Sequence, residues 1–277
     1  LLSRGLGDVY KRQIYDYVYE TEGEEIKNFL GEIWEAMKES ICFGLNAEGI
    51  IPGKLQLSKR AKSIYNNKIE NEPTEVKRTR LLTAYAYAVS ETNASGGEIV
   101  TAPTCGSCGV LPATLYYLQK EDKYTDEEII NALATAGIIG NIVKTNASIS
   151  GAECGCQAEI GTACSMAAAA CSQLRKLDIY KIEHAAEIAM EHHLGLTCDP
   201  IYGYVQIPCI ERNAVAAIRA IDASNISMLL DENQKISFDL ITETMYETGK
   251  DLRSHYRETS TGGLAKKYCR NKYYNTD

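Results

Sequence analysis

Thiols and carboxylates are concentrated in one stretch of this 277-residue chain. From Asn146 to Met166 it reads N-A-S-I-S-G-A-E-C-G-C-Q-A-E-I-G-T-A-C-S-M, setting Cys154, Cys156, Cys164, Glu153 and Glu159 among small side chains. Gly151, Gly155 and Gly161 let the backbone adopt angles that other residues resist and close in on a bound group. Downstream, Cys198 and Cys209 stand eleven positions apart in C-D-P-I-Y-G-Y-V-Q-I-P-C. Upstream, Cys105 and Cys108 lie in T-A-P-T-C-G-S-C-G-V-L-P-A. Soft thiolates select zinc or iron–sulfur clusters. Structural zinc prefers paired C-x2-C knuckles, and only Cys105 and Cys108 have that spacing. A ferredoxin would carry a compact run of four cysteines, which is absent. Thiols scattered over separate loops suit a cluster used as a Lewis acid, with one iron left open to polarise a substrate oxygen. Spacing alone leaves open which thiols take part. Cys42 and Cys171 read as buried small hydrophobes.

The second chemical feature is the glycine- and proline-flanked run around Cys105. It is expected to end at a helix N-terminus, where exposed N–H groups favour an anion. The backbone of Thr104, Cys105, Gly106, Ser107 and Gly109 is therefore the expected cradle for a substrate carboxylate, the alternative being a plain connector. Lys144, Asn146, Ser148 and Arg212 are the polar candidates close to the thiol segments. The histidines at 184, 192, 193 and 255 form no H-E-x-x-H pattern. His184 and His193 read as packed or surface imidazoles. No G-x-S-x-G elbow, Walker A loop or G-x-G-x-x-G after a strand appears. No lysine sits in a recognisable pyridoxal-phosphate context.

Helices must position these groups. Ile26, Phe29, Leu30, Ile33, Trp34, Met37 and Ile41 follow a helical period that G-L-N-A-E-G-I-I-P-G should end. Helices are also expected over Lys59 to Asn67, Glu75 to Thr92, and Val110 to Gln119 with Pro112 in the first turn. Thr125 and Glu128 form a capping box for a helix to about Ile139, where Gly137 and Gly140 weaken it. An Ala-rich helix from Ser165 to Leu174, one over Tyr180 to His193 and a long one after Pro208 complete the reading. Few segments alternate with a period of two, and no repeat or low-complexity linker is found. The expectation is an all-α, single predominantly helical domain over residues 14–277, with glycine-rich loops around a metal-cluster site.

Ser3 to Gln13, S-R-G-L-G-D-V-Y-K-R-Q, resembles a translated sequencing adaptor, so residues 1–13 are set aside as non-native. They carry a net +2, which leaves -10 of the formal charge of -8 to the rest. That acidity argues against a nucleic-acid partner, which needs clustered Lys and Arg. No apolar run reaches the roughly 18 residues of a membrane span. Ten cysteines without an apolar leader are expected in the reducing cytoplasm.

Five strings carry a family resemblance: G-L-N-A-E-G-I-I-P-G, N-A-S-G-G-E-I-V-T-A-P-T-C-G-S-C-G-V-L-P-A, N-A-S-I-S-G-A-E-C-G-C-Q, E-H-H-L-G-L-T-C-D-P and Q-I-P-C-I-E-R-N-A. In this order they resemble the α-subunit of iron–sulfur-dependent L-serine dehydratase, from about Ile14 to Cys269. The resemblance implies an all-helical fold, a [4Fe-4S] cluster and the conversion of L-serine to pyruvate and ammonia in amino-acid catabolism. It places the cluster ligands on Cys156, Cys198 and Cys209 and gives no ligand role to Cys154 or Cys164. An open iron would take the substrate hydroxyl, a base would remove the α-proton, water would leave, and the enamine would hydrolyse. A related lyase acting on cysteine or threonine, and a non-catalytic metal-binding subunit, are the other readings.

Relatives also carry a further domain, fused or as a β-subunit, with an S-S-S-H-T motif that this chain lacks. A hetero-oligomer with such a β-subunit is therefore expected, with the catalytic base unassigned in this chain. Members end with a cysteine shortly after G-G-L-A, which here corresponds to Cys269, followed by eight more residues. Gly262 and Gly263 would form a flexible joint, and Cys269 would occupy the open iron at rest until substrate displaces it.

Overall fold

An alanine-rich helix with no exposed side lies at the centre of the molecule. The structure, a computed structural model, describes residues 13–231 and 234–274. Among these are twelve α-helices and no strand: α1 (Ile14–Glu22), α2 (Glu25–Asn46), α3 (Ala61–Asn66), α4 (Thr74–Ala94), α5 (Val110–Asp122), α6 (Asp126–Asn146), α7 (Gly151–Cys154), α8 (Thr162–Leu174), α9 (Ile179–Glu191), α10 (Cys209–Leu229), α11 (Phe238–Asp251) and α12 (Gly263–Tyr274). The expected all-α fold is observed.

Every residue of α8 is buried, from Thr162 through the run Ala167–Ala170 to Leu174. Helices α5, α6, α9 and α10 pack around it. Small side chains on all faces let four neighbours approach one axis, where larger residues would force them apart. Two serine hydroxyls on α8 find partners inside this wrapping: Ser165 Oγ donates to Ala186 O at 2.8 Å and Ser172 Oγ to Ser224 Oγ at 2.8 Å. Outside this centre, α4 is buried between α2 and α10, and α1 lies on α6.

Most expected helices form, with shifted ends. The Thr125 capping box is present, with Glu128 N donating to Thr125 Oγ1 at 3.3 Å and Thr125 N to Glu128 Oε2 at 3.0 Å. Helix α6 does not weaken at Gly137 and Gly140 but runs to Asn146. A Cβ at Gly140 would lie 2.9 Å from Met166 Sδ, so that glycine admits α8. The Ala-rich helix begins earlier than expected, because a π-helical turn at Gln157–Gly161 feeds directly into Thr162. Helices α1, α11 and α12 were not expected. The supposed joint at Gly262 and Gly263 is instead the start of α12, whose Leu264 N–H donates to Asp199 Oδ2 at 2.5 Å. Cys171 is buried as expected, but Cys42 is exposed on the outer face of α2. The segment read as non-native lies outside the described residues apart from Gln13, whose side-chain oxygen accepts from Gln173 Nε2 at 2.8 Å.

One close approach fixes the α2–α4 pair. A Cβ on Gly44 would stand 2.2 Å from Ala88 O, a backbone atom that cannot rotate away. Gly44→Ala gains about 1 kcal/mol of helix propensity, yet must push two buried helices apart, which costs about 1–3 kcal/mol or more. The net outcome is a loss, read as a lower urea midpoint with an unchanged m-value.

Candidate metal centre

The turn that carries Cys156 is built by two neighbours. Gly155 has φ +77°, and a Cβ there would meet Leu252 Cδ1 at 2.7 Å and Leu196 O at 2.8 Å, so glycine is required twice over. Gln157 is fully buried. Its Nε2 donates to Met245 O at 3.1 Å, and its Oε1 accepts from Gly195 N at 2.8 Å. Cys156 is thereby pinned between α11 and the 193–197 turn. The π-helical turn that follows widens the backbone ring, a feature often found at functional sites.

Cys198 is held by its main chain. Its N–H donates to Tyr256 O at 2.8 Å, and its carbonyl accepts from Glu258 N at 2.6 Å. Cys209 is the first residue of α10 and is buried. Ligating atoms of Cys156, Glu159 and Cys198 all lie within 4.8 Å of one another. Cys156 Sγ lies 3.9 Å from Glu159 Oε2 as a weak donor. A hydrogen bond with Cys156, followed by burial, drives the Cys198 thiol far above its ordinary pKa. Cys209 is pushed up to about 12, by burial first and then by electrostatic repulsion from its neighbours Cys156 and Glu159. The protein alone therefore disfavours free thiolates here, and a cation is what would stabilise them.

Glu159 was visible in the sequence but given no role. It follows Cys156 by three residues, the spacing that puts two side chains on one helical face. Burial raises its pKa, opposed by a hydrogen bond from Thr104. Thr104 Oγ1 donates to Glu159 Oε1 at 2.8 Å, and a Cβ on Gly106 would stand 3.1 Å from the same oxygen. The glycine-rich loop is thus brought against the thiol segment. A Cβ on Gly151 would lie 2.5 Å from Glu159 Oε2 and 3.1 Å from Cys198 Sγ. The missing side chain at Gly151 leaves the space where these two groups meet.

Asn213 was also missed. It is buried one turn after Cys209 and joins the loop to α10. Its Nδ2 donates to Gly106 O at 2.8 Å and Cys209 O at 2.9 Å, and its Oδ1 accepts from Gly109 N at 2.9 Å. Of the expected carboxylate cradle, the N–H groups of Thr104, Ser107 and Gly109 are engaged, with Ser107 Oγ, Thr104 O and Asn213 Oδ1 respectively. Cys105 is exposed, and its N–H and that of Gly106 have no protein acceptor among the described residues.

The other polar candidates are less central. Lys144 and Asn146 are exposed at the end of α6. Ser148 Oγ donates to Glu153 Oε2 at 2.7 Å, beside the Glu153–Lys250 ion pair. Arg212 Nη1 donates to Thr197 O at 2.6 Å, with Nη2 3.8 Å from Asp199 Oδ1. Cys269 is partly exposed on α12, which packs on the 201–203 turn, and is not among the converging donors. Cys154 and Cys164 are buried, with Cys164 Sγ donating to Ala216 O at 3.3 Å. His193 is buried, its Nδ1 2.7 Å from Ala189 O, and burial lowers its pKa to about 4.

Residues 8–265 match the family described as serine dehydratase alpha chain. The chain belongs to that family. Over 250 residues it is 48% identical to a Haemophilus influenzae protein named L-serine dehydratase, covering 88% of this chain and 54% of the relative. The L-serine dehydratase 2 of Escherichia coli (strain K12) is 47% identical, with 88% and 54% covered. A Streptomyces coelicolor L-serine dehydratase is 46% identical, with 87% and 53% covered. The chain spans about half the length of these relatives.

Within this alpha-chain fold, Gly151 offers a direct test of the donor arrangement. Gly151→Ala should displace Cys198 and reduce the metal bound after anaerobic reconstitution, at unchanged helicity by circular dichroism. Full metal content in that variant would show that the space at Gly151 is not needed.

Proposed function

We propose that this chain is the cluster-bearing half of an L-serine dehydratase that converts L-serine to pyruvate and ammonia. Cys156, Cys198 and Cys209 would hold a [4Fe-4S] cluster. The observation that carries the reading is the convergence of Cys156 and Cys198, from segments far apart in sequence, in a chain whose relatives are named for this reaction. The donor set suits the group. Two soft thiols meet, a third lies within electrostatic reach, and glycines at 151 and 155 keep bulk away.

When bound, the cluster supplies Lewis acidity that makes the substrate hydroxyl a better leaving group. The chain's residues do the rest. The N–H groups of Cys105 and Gly106, beside the N-terminus of α5, receive the substrate carboxylate. Asn213 holds that loop against the base of α10, so the carboxylate site and Cys209 keep a fixed separation. Buried walls around Cys156 and Cys198 exclude water and strengthen each charge interaction. Arg212 adds positive charge on the Cys198 side while tied to Thr197 O. A base on a separate β-subunit would take the α-proton, the buried imidazole of His193 being held through Nδ1 by Ala189 O.

All ten cysteines are free thiols, which favours a reducing, cytoplasmic setting. No helix among the described residues is long and apolar enough to cross a membrane.

Alanine at Cys156, Cys198 or Cys209 should abolish iron and sulfide binding, whereas Cys171→Ala and Cys269→Ala should retain both. Cys269→Ala should in addition shorten the lifetime of the visible absorbance in air, as expected of a removable resting ligand. Normal iron in Cys198→Ala would defeat the assignment. The reconstituted chain alone should give little serine-dependent pyruvate, and adding a β-subunit as a separate polypeptide should restore it. Full turnover by the chain alone would refute the need for a partner.

A further inference from the structure

Glu159 is a largely enclosed carboxylate without a cation. Among the described residues its hydrogen-bond partners are the Thr104 hydroxyl, 2.8 Å from Oε1, and the Cys156 thiol, 3.9 Å from Oε2. No Lys, Arg or His nitrogen among the described residues pairs with it, and the positive charge of Arg212 reaches it only at longer range. Carboxylates removed from water are ordinarily matched by a cation or by several donors. One donor is also lost when the site is loaded, because a metal-bound cysteine is a thiolate and donates nothing. Oε2 then faces two electron-rich sulfurs across the gap that Gly151 leaves open.

Position narrows what this carboxylate serves. Oε1 lies against Gly106, in the loop whose N–H groups at Cys105 and Gly106 are available for a substrate carboxylate. Oε2 lies against Cys156 and Cys198. An α-amino acid with a β-hydroxyl carries its carboxylate, ammonium and hydroxyl on two adjacent carbons. A carboxylate set between the carboxylate cradle and the hydroxyl-binding thiol centre is where the ammonium would fall.

We propose that Glu159 binds the α-ammonium group of the amino-acid substrate and so selects β-hydroxy amino acids over the corresponding hydroxy acids. The inference rests on the dehydratase reading and adds the group that fixes substrate class. Gly106 and Gly151 keep the carboxylate reachable, and Thr104 orients it by holding Oε1.

The test compares L-serine with 3-hydroxypropanoate, which is serine without its amino group. Binding of each to the anaerobically reconstituted chain is measured by calorimetry for wild type, Glu159→Gln and Glu159→Asp. Wild type should prefer serine. Glu159→Gln should weaken serine by roughly 10- to 100-fold, the range for losing a charged hydrogen-bond partner, and change 3-hydroxypropanoate little. Glu159→Asp should recover part of the serine affinity. Equal affinity of wild type for both ligands, equal loss of both in Glu159→Gln, or loss of iron in Glu159→Gln would each overturn the inference, the last by assigning the carboxylate to the metal. A wild-type chain without iron and sulfide would defeat the dehydratase reading instead, and calorimetry would still report separately on the serine preference.

Discussion

The arrangement depends on one steric condition: a helix made mostly of alanine, serine, cysteine and threonine, with larger side chains at Met166, Gln173 and Leu174, must stay small where its neighbours approach. Helix α8 is wrapped by four others and has no side to spare. Dispersion between close-packed surfaces is weak per contact and large in sum, and it is available only if the surfaces approach. Alanine at 167–170 permits that approach on all faces at once. The π-helical turn and Cys156 sit directly before this helix, so the thiol inherits the position of the most confined element in the molecule.

From this centre the site is assembled by single tight links. Gln157 ties the Cys156 turn to α11 and to Gly195, Asn213 ties the glycine loop to Cys209, and Thr104 ties that loop to Glu159. Each link joins segments far apart in sequence. Buried side-chain amides that satisfy several backbone groups are costly to disturb, because removing one strands its partners. The donors are therefore placed by a polar frame inside an apolar wrapping, rather than by loops free to adjust around a metal.

Legibility of the sequence followed the strength of local signals. The Thr125–Glu128 capping box and the periodic α2 could be read because both are complete within a few residues. Helix α11 had the same kind of signal, with Ser237 as cap and Phe238, Ile241, Met245 and Gly249 on one face, but went unread. Helix α12 had little apolar periodicity, and its start depends on Asp199, a capping group 65 residues away. Gly140 looked like a breaker because the neighbour that needs its small size, Met166, is visible only in three dimensions, whereas a Cβ at Gly137 would meet nothing within 4 Å. The motif strings located the thiols, whereas the meeting of Glu159 with Thr104 and Gly151 is a fact of packing. Cys42 misled because cysteine is usually buried, yet here it faces solvent.

Cys198 is gripped by the chain on both sides of its own peptide, by Tyr256 and Glu258, and the next residue, Asp199, holds the Leu264 N–H in the first turn of α12. No loose span separates the C-terminal segment from this sulfur. Mechanically the two are one lever: a pull on α12 is delivered to the thiol position through the Asp199 carboxylate, one residue from Cys198. The tail thus acts as part of the vice that sets one donor, and its registration on the body is a geometric input to the centre.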